Sequence, residues 1–333
     1  MNKHDSNTLY DLAVVVINFR TPELTINCLN SLEPEIRGLN ACIVLVDNKS
    51  ADGSIEQIEA AIDSQRFGNQ LFVYRSAQNG GFSSGNNIGI NYVEAKYYLL
   101  TNSDTLIRKD ALLTLLRTAQ QDTKIGLLAP RLEWVDGIPQ ESCFRYHSPL
   151  SEFIGSAKTG ILTKLLGNYV VPQPVSDAPK TYDWLSFASV LVNAAVFKDI
   201  GLMDEGYFMY FEDVAFCYRA KQAGWQIQYE PNAHVVHLRG GSSPLKSQAK
   251  LRKRLPRYFY ESRSRYFFQV YGKKGLFLAN VLWSLGCLVS SFRSLISKSY
   301  EKDISEQQWL DIWINFSNPE QPYVHPDDYV KKA

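Results

Sequence analysis

Residues 12–130 switch repeatedly between two hydrophobic periods, and no other feature restricts the fold as much. Leu12–Asn18 (LAVVVIN), Ala41–Asp47 (ACIVLVD), Leu71–Arg75 (LFVYR), Lys96–Asn102 (KYYLLTN) and Ile125–Pro130 (IGLLAP) are short apolar runs rich in β-branched or aromatic residues. Runs of that length and composition read as buried strands. Helical signals lie between them: Thr21 as cap with Pro22 at the first helical position, the run SADGSIEQIEAAI, a segment near Ser84–Glu94, and Lys109 to about Gln120. Strand alternating with helix predicts an α/β fold with a mostly parallel central sheet and helices on both faces. Such sheets bind ligands beyond the carboxyl ends of their strands. Asn18, Asp47, the Gln78–Asn87 segment and Asn102–Asp104 all fall at such ends.

The rest of the chain is less regular. Asp136-Gly137 marks a hairpin, Ser151–Lys180 reads as a long connection, and Ser186–Phe197 is apolar. FEDVAFCYRAKQAG has a helical pattern ending at Gly224, and WQIQYEP and AHVVHL read as two further strands. Lys246–Lys274 is basic and aromatic, and Gly275–Phe292 is almost continuously apolar. The apolar run is either a buried helix preceded by a solvated one, or a membrane-facing helix preceded by an interfacial stretch. The expected division is a ligand-binding and catalytic domain at 1–245 and a C-terminal helical extension at 246–333.

Bulk properties exclude little but do so cleanly. A formal net charge of +1 gives no global reason to expect nucleic acid. Five cysteines without a Cys-x-x-Cys pair point to reduced thiols in the cytoplasm rather than a disulfide frame or a zinc site. The polar N-terminus and the short run Leu12–Ile17 do not make a signal peptide.

Individual residues carry chemistry only in context. QNGGFSSGNNIGI matches neither the dinucleotide pattern, which needs Gly-x-Gly-x-x-Gly, nor the triphosphate loop, which ends in Gly-Lys-Ser/Thr. Asp104 at a strand end can hold a divalent cation against a diphosphate, or simply cap the next helix. Asp47 can accept an N–H from a base or a ribose hydroxyl, or form a turn. Glu212 and Asp213 follow Tyr207, Phe208, Tyr210 and Phe211; they can be dipole partners of a helix, or carboxylates made more basic by apolar surroundings. His234 and His237 lie three apart on a strand and face opposite sides, so they do not share a metal; His237 is the functional candidate.

Taken in order, VVVINFRTPE, VLVDNKSADGS, NGGFSSGNNIGI, LLTNSDT, FMYFEDVAFCYRAKQAGW and VVHLRGGS resemble the family 2 glycosyltransferases of the GT-A fold, in the branch holding many bacterial rhamnosyltransferases. The resemblance spans Leu12–Gly272. It implies that the asparagine–glycine segment lines a nucleotide-sugar pocket, with Asn79, Gly80, Gly81, Phe82 and Asn86 beside the ligand. Asn18, Arg20, Asn102, Ser103 and Glu212 join that pocket, and Asp47 reads a pyrimidine base. Asp104 occupies the metal-binding end of an Asp-x-Asp motif whose first position is Asn102, and His237 completes the metal or phosphate site. Asp213 matches the catalytic base; where a second acid often follows two residues later, this chain has Ala215. The implied reaction is a single inverting displacement, assisted by Mg²⁺ or Mn²⁺. It moves L-rhamnose from dTDP-rhamnose, or another sugar from a dTDP- or UDP-donor, to a glycan or lipid-linked oligosaccharide. The implied location is the cytoplasm, peripheral to the anionic inner face of the membrane. A sugar-phosphate nucleotidylyltransferase would want a glycine-rich basic loop after the first strand, where this chain has NFRTPE. A non-catalytic sugar-nucleotide or glycan-binding protein would have no use for Asp104, Asp213 and His237 together.

Overall fold

The computed structural model describes residues 8–62, 64–239, 245–297, 300 and 304–329. Among these, nine strands form one sheet: β1 (Leu9–Asn18), β2 (Ala41–Asp47), β3 (Leu71–Arg75), β4 (Glu94–Asn102), β5 (Thr105–Ile107), β6 (Ile125–Glu133), β7 (Lys180–Thr181), β8 (Ser189–Asn193) and β9 (Gln226–His237). The order is β3-β2-β1-β4-β8-β6-β9-β5, with β7 also paired to β9. β1 to β4 pair in parallel. β8 runs antiparallel between β4 and β6, and β9 is parallel to β6 but antiparallel to β5. The sheet is therefore mixed, with a parallel half built from the four strands the sequence pattern marks most clearly.

β1 shows why both faces are covered. Its alternate side chains point to opposite sides. Leu12, Val14 and Val16 join Leu29 and Leu32 of the Pro22–Ile36 helix and Leu112 and Leu115 of the Ala111–Gln121 helix in one core. Val15 and Ile17 meet the Gly81–Tyr92 helix on the other side. That helix carries Gly85 and Gly89 four residues apart, on one face. A Cβ at Gly89 would lie 2.3 Å from Val15 Cγ1, and one at Gly85 would lie 3.0 Å from Ile17 Cδ1. The two glycines let the helix lie flush on the strand.

Three expectations need correction. WQIQYEP and AHVVHL are one strand, β9, with a register shift between Glu230 and His234; Pro231, which has no N–H to donate, sits in the gap. The 151–180 segment is not a bare connection: it holds helices at Pro149–Ala157 and Gly160–Leu165. Ser148 and Ser151 form a reciprocal capping box with Pro149 at the first position, and the Thr159 hydroxyl accepts from Leu162 N–H at 3.3 Å. The basic, aromatic stretch before Gly275 is not solvated throughout. Tyr258, Tyr260, Arg263, Tyr266 and Phe267 are buried in the Arg257–Ile296 helix, which bends at Gly272 with φ 67°.

The chain divides into two compact units. The first comprises Met1–Cys143, Pro174–Glu205 and Phe216–Ser242, and contains the sheet. The second gathers Phe144–Gln173, Gly206–Ala215 and Ser243–Ala333, which is more than the 246–333 segment marked by composition. Within it the long helix packs on Pro149–Ala157 so closely that a Cβ at Gly286 would lie 2.0 Å from Ser156 Oγ. The buried Arg263 guanidinium donates to Glu152 Oε2 at 2.6 and 2.9 Å and to Asn280 Oδ1 at 2.7 Å, tying three helical segments together. Four aromatic rings, His147, Phe259, Tyr266 and Phe211, pack with centroids 5.2–6.1 Å apart around Phe211 and His147.

Gly89→Ala should cost about 1–3 kcal/mol of stability through overpacking against Val15. Gly155→Ala, whose Cβ meets nothing within 4 Å, should be neutral or slightly stabilising. Urea unfolding of the two variants checks the contrast; equal midpoints would contradict the flush packing.

Candidate active site

Strand register places the first group of candidates. Asn18 lies opposite Asp47, Ile17 opposite Asn102, and Asp47 opposite Arg75. The carboxyl ends of β1, β2, β3 and β4 therefore finish along one edge. Asn18 is fully buried and latches that edge: its amide N–H donates to Asp47 Oδ1 at 2.8 Å and to Ser50 Oγ at 3.0 Å, while its Oδ1 accepts from Thr25 Oγ1 at 3.0 Å. Asp47 also accepts the Ser50 hydroxyl at 2.6 Å and the Ser50 N–H at 3.2 Å. Arg20, held at φ 58°, donates from its backbone to Ser50 Oγ and from Nε to Ser50 O. Ser103 Oγ lies 3.0 Å from Thr21 Oγ1. Asn18, Arg20, Asp47 and Ser103 thus belong to one connected network. Asn102 joins it by register; its carbonyl accepts the Thr105 hydroxyl at 2.7 Å.

The asparagine–glycine segment is the start of a helix, with Gly80 as its cap residue and Gly81, at φ 78°, its first member. Asn79 Oδ1 accepts from Gly81 N–H and from Asn48 Nδ2, both at 3.0 Å, and Asn48 also donates to Gly81 O. Asn48 was not picked out by the sequence reasoning; its position next to Asp47 in VDNKS was the available signal. A Cβ at Gly80 would collide with Ser84 at 2.5 Å. Asn86 is buried and donates to Phe82 O at 3.0 Å within its own helix. A helix start suits an anion, although here Gly80 and Gly81 are buried and the Gly81 N–H is taken by Asn79.

Asp104 and His237 are brought together from opposite sides of a hairpin-like pairing: Thr105 lies opposite His237 across β5 and β9, and Leu238 N–H donates to Asp104 O at 2.9 Å. His237 Nε2 is 3.6 Å from Asp104 Oδ1, and both side chains are 11% exposed. The gap is too long for a hydrogen bond. His237 Nδ1 is buried with no hydrogen-bond partner among the described residues. Arg239 is a further cation here. It donates to Gln140 and Glu141 and stacks over Trp134; burial lowers its pKa, and the charges of Glu141 and Asp104 act the other way. The RGG run after His237 was the sequence cue for it; Gly240 and Gly241 lie outside the described residues. His234 Nδ1 lies 2.9 Å from Glu133 Oε2.

Glu212 and Asp213 open the Glu212–Gln222 helix, in the part of it that belongs to the second unit. Tyr210 and Phe211 immediately before them both have left-handed backbones, φ 72° and 65°. Two consecutive bulky residues in that region store strain of order 1–3 kcal/mol each. Strain of this kind concentrates at functional sites. Glu212 is buried with Oε2 unpartnered, and burial, reinforced by the neighbouring Asp213 charge, pushes its pKa well above 4.5. Asp213 Oδ1 lies 2.8 Å from Val214 N–H.

The profile of glycosyl transferase family 2 matches residues 13–142. The chain carries a family 2 glycosyltransferase domain. It is 28% identical over 239 residues to the low-salt glycan biosynthesis hexosyltransferase Agl10 of Haloferax volcanii, covering 71% of this chain and 69% of that one. Rhamnosyltransferase WbbL of Escherichia coli is 28% identical over 165 residues, 47% of this chain and 60% of its own length. The N-acetylglucosaminyl-diphospho-decaprenol L-rhamnosyltransferase of Mycobacterium tuberculosis is 27% identical over 60% of this chain and 67% of its own. Among solved structures, a mannosyltransferase of Pyrobaculum calidifontis in complex with GDP-Man and Mn²⁺ superposes with a TM-score of 0.54 at 11% identity, covering 93% of this chain and 88% of that one. GalNAc-T7 with UDP, GalNAc and Mn²⁺ gives 0.55 at 16% identity, covering 89% of this chain and 59% of that one. These neighbours share the GT-A fold, and this chain is a glycosyltransferase of that fold.

Burial pushes the Cys28, Cys42 and Cys143 thiols up to about 12. The raised Glu212 pKa yields a pH test. The folded state holds the proton more tightly than the unfolded chain, so the contribution of Glu212 to stability is complete below about 4.5 and is lost as pH rises toward the folded value. Wild type should therefore lose stability relative to Glu212→Gln as pH increases from 4 to 8. Parallel urea midpoints across that range would show that Glu212 titrates normally.

Proposed function

We propose that the chain is an inverting glycosyltransferase that moves a sugar, L-rhamnose from dTDP-rhamnose, to a hydroxyl of a lipid-linked glycan in cell-surface polysaccharide synthesis. The observation that carries the transfer reading is the Asp104–His237 pair beside the latched ends of β1, β2 and β4. Their ligating atoms stand 3.6 Å apart. With metal–ligand bonds of about 2.0–2.2 Å, both can reach one ion. The donor set, the Asp104 carboxylate oxygen and His237 Nε2, fits Mn²⁺ or Mg²⁺. No cluster of three or more ligating side chains occurs among the described residues, so diphosphate oxygens and water would fill the remaining positions. A bound cation would supply charge to stabilise the leaving diphosphate.

The chain's own groups do the rest. Asp47, fixed from behind by Asn18, meets the base and ribose end of the donor, and the positive end of the Gly81–Tyr92 helix, with Asn79, stabilises its phosphates. Arg20, Asn102 and Ser103 frame the sugar, and Arg239 adds positive charge near Asp104. Asp213 takes the proton from the acceptor hydroxyl as that oxygen attacks the anomeric carbon. Burial and the Asp213 charge raise the Glu212 pKa, which weakens the competition of a second carboxylate charge beside the base. Rhamnose as donor sugar and a diphospho-lipid acceptor are supported by the names of two relatives.

Removal of general-base assistance costs about two to four orders of magnitude. Asp213→Asn should lose transfer by that factor while binding donor normally in a thermal-shift titration with dTDP-rhamnose. Asp104→Asn should weaken cation-dependent donor binding and leave the fold intact. Full turnover in excess chelator, or an active Asp213→Asn, would overturn these assignments.

The same reading places the enzyme in the cytoplasm against the membrane, and the structure changes how it would be held there. Of the basic residues expected to meet anionic lipid, Arg263 is buried on Glu152, Arg254 donates twice to Asp311 at 2.7 and 2.8 Å, and Arg265 donates to Glu320 O. Arg252 and Lys253 are exposed, and so is about half of the Arg254 side chain. After the Gly272 bend, Phe277, Leu278, Leu285, Leu288, Phe292, Leu295 and Ile296 are each 45–81% exposed, a stripe along one helix face. Attachment should therefore be chiefly hydrophobic. Co-sedimentation with neutral and anionic vesicles should survive high salt and fall sharply in a Leu288→Glu/Phe292→Glu variant; binding that vanishes with salt would return the weight to charge.

A further inference from the structure

The second unit contains a cavity of about 410 Å³, within the range of small-ligand sites. We propose that it binds a sugar ring of the acceptor. This rests on the glycosyl-transfer reading and adds to it the place where the acceptor is recognised. Phe211, Phe259 and Trp283 offer aromatic surface, and Glu152 and Arg263 offer hydrogen bonds. A sugar presents both faces of that chemistry: C–H groups for the rings and hydroxyls for the polar atoms.

The lining favours a neutral polyhydroxyl ligand over other occupants. The Arg263 charge is already neutralised by Glu152 at 2.6 Å, so the cavity is not built to select a diphosphate. An apolar chain would leave the ion pair facing hydrocarbon. Phe211 connects the cavity to chemistry: it stands two residues before Asp213, in the same unit, on the strained left-handed backbone. A ring held against Phe211 is the part of the acceptor that would set which hydroxyl reaches Asp213.

Gly155 provides a clean block. It lines the cavity, its φ is not in the left-handed region, and a Cβ there meets nothing within 4 Å. The test is saturation-transfer NMR with n-octyl β-D-glucoside and n-octyl N-acetyl-β-D-glucosaminide, alongside donor hydrolysis measured without acceptor. For wild type, the ring protons of at least one probe should saturate more strongly than the terminal methyl. Gly155→Phe should cut the ring signal at least fivefold, with donor hydrolysis and the circular-dichroism melt unchanged. Saturation confined to the octyl chain, no ring saturation with either probe, or a ring signal unaffected by Gly155→Phe would overturn the proposal. Absence of donor hydrolysis in wild type would instead sink the transfer reading, and the ring signal would still report on the cavity.

Discussion

The hydrogen bond from the Asn18 amide to the Asp47 carboxylate is the constraint on which the donor side is built. Neither group has a reason to be buried unless it is paired, and each is at the last residue of a parallel strand. The bond fixes the ends of β1 and β2 relative to one another. Ser50 and Thr25 complete the polar valences, so the chain leaving each strand turns in a defined direction. That determines where Arg20, Asn48 and, through Asn48, the start of the Gly81–Tyr92 helix stand. The part joining Asn18, Asp47, Ser50 and Thr25 is satisfied from within and therefore rigid, whereas Asn48 Oδ1 is buried without a partner among the described residues.

The sequence discloses the parallel half of this fold because its strands are apolar on both faces and its helices are punctuated by Thr-Pro and Gly. Period and punctuation are local properties. β8 is harder to place: SVLVN could belong to a strand or a helix by periodicity, and only pairing with β4 and β6 decides it. Candidate residues that the structure brings together could be picked out where chemistry and position coincide, as at Asp104, 3.6 Å from His237, and Asp47, bonded to Asn18. Asn48 and Arg239 were hidden because one is an ordinary turn residue and the other an ordinary surface cation until their partners are seen. The glycines of QNGGFSSGNNIGI combine two duties that sequence cannot separate. Gly80 and Gly81 shape a helix start, whereas Gly85 and Gly89 permit close packing on β1.

Basic residues illustrate the same limit. KLRKRLPRYFYESRSRYFFQ looks like an interfacial stretch, yet Arg263 lies at the centre of the second unit and Arg254 is clasped by Asp311. A guanidinium can be a surface charge or a buried cross-link, and its carboxylate partner, more than a hundred residues away in the case of Glu152, is what separates the two. The acidic pair shows the converse. Glu212 and Asp213 are adjacent in sequence, and burial of one makes them chemically unlike, which adjacency alone does not reveal.

The second unit is assembled from three separated pieces of chain, and this has a consequence for how the protein is made. The Pro149–Ala157 helix leaves the ribosome well before its partner helix, since Glu152 and Arg263 are 111 residues apart. At about 5–20 residues per second, roughly 5 to 20 seconds pass with Ile154 and its neighbours uncovered. Strands β8 and β9 of the first unit are translated within that same interval, so nascent chains carry an incomplete sheet and an orphan apolar helix together. Translation speed between residues 157 and 263, and the chaperones that meet the chain there, become determinants of yield.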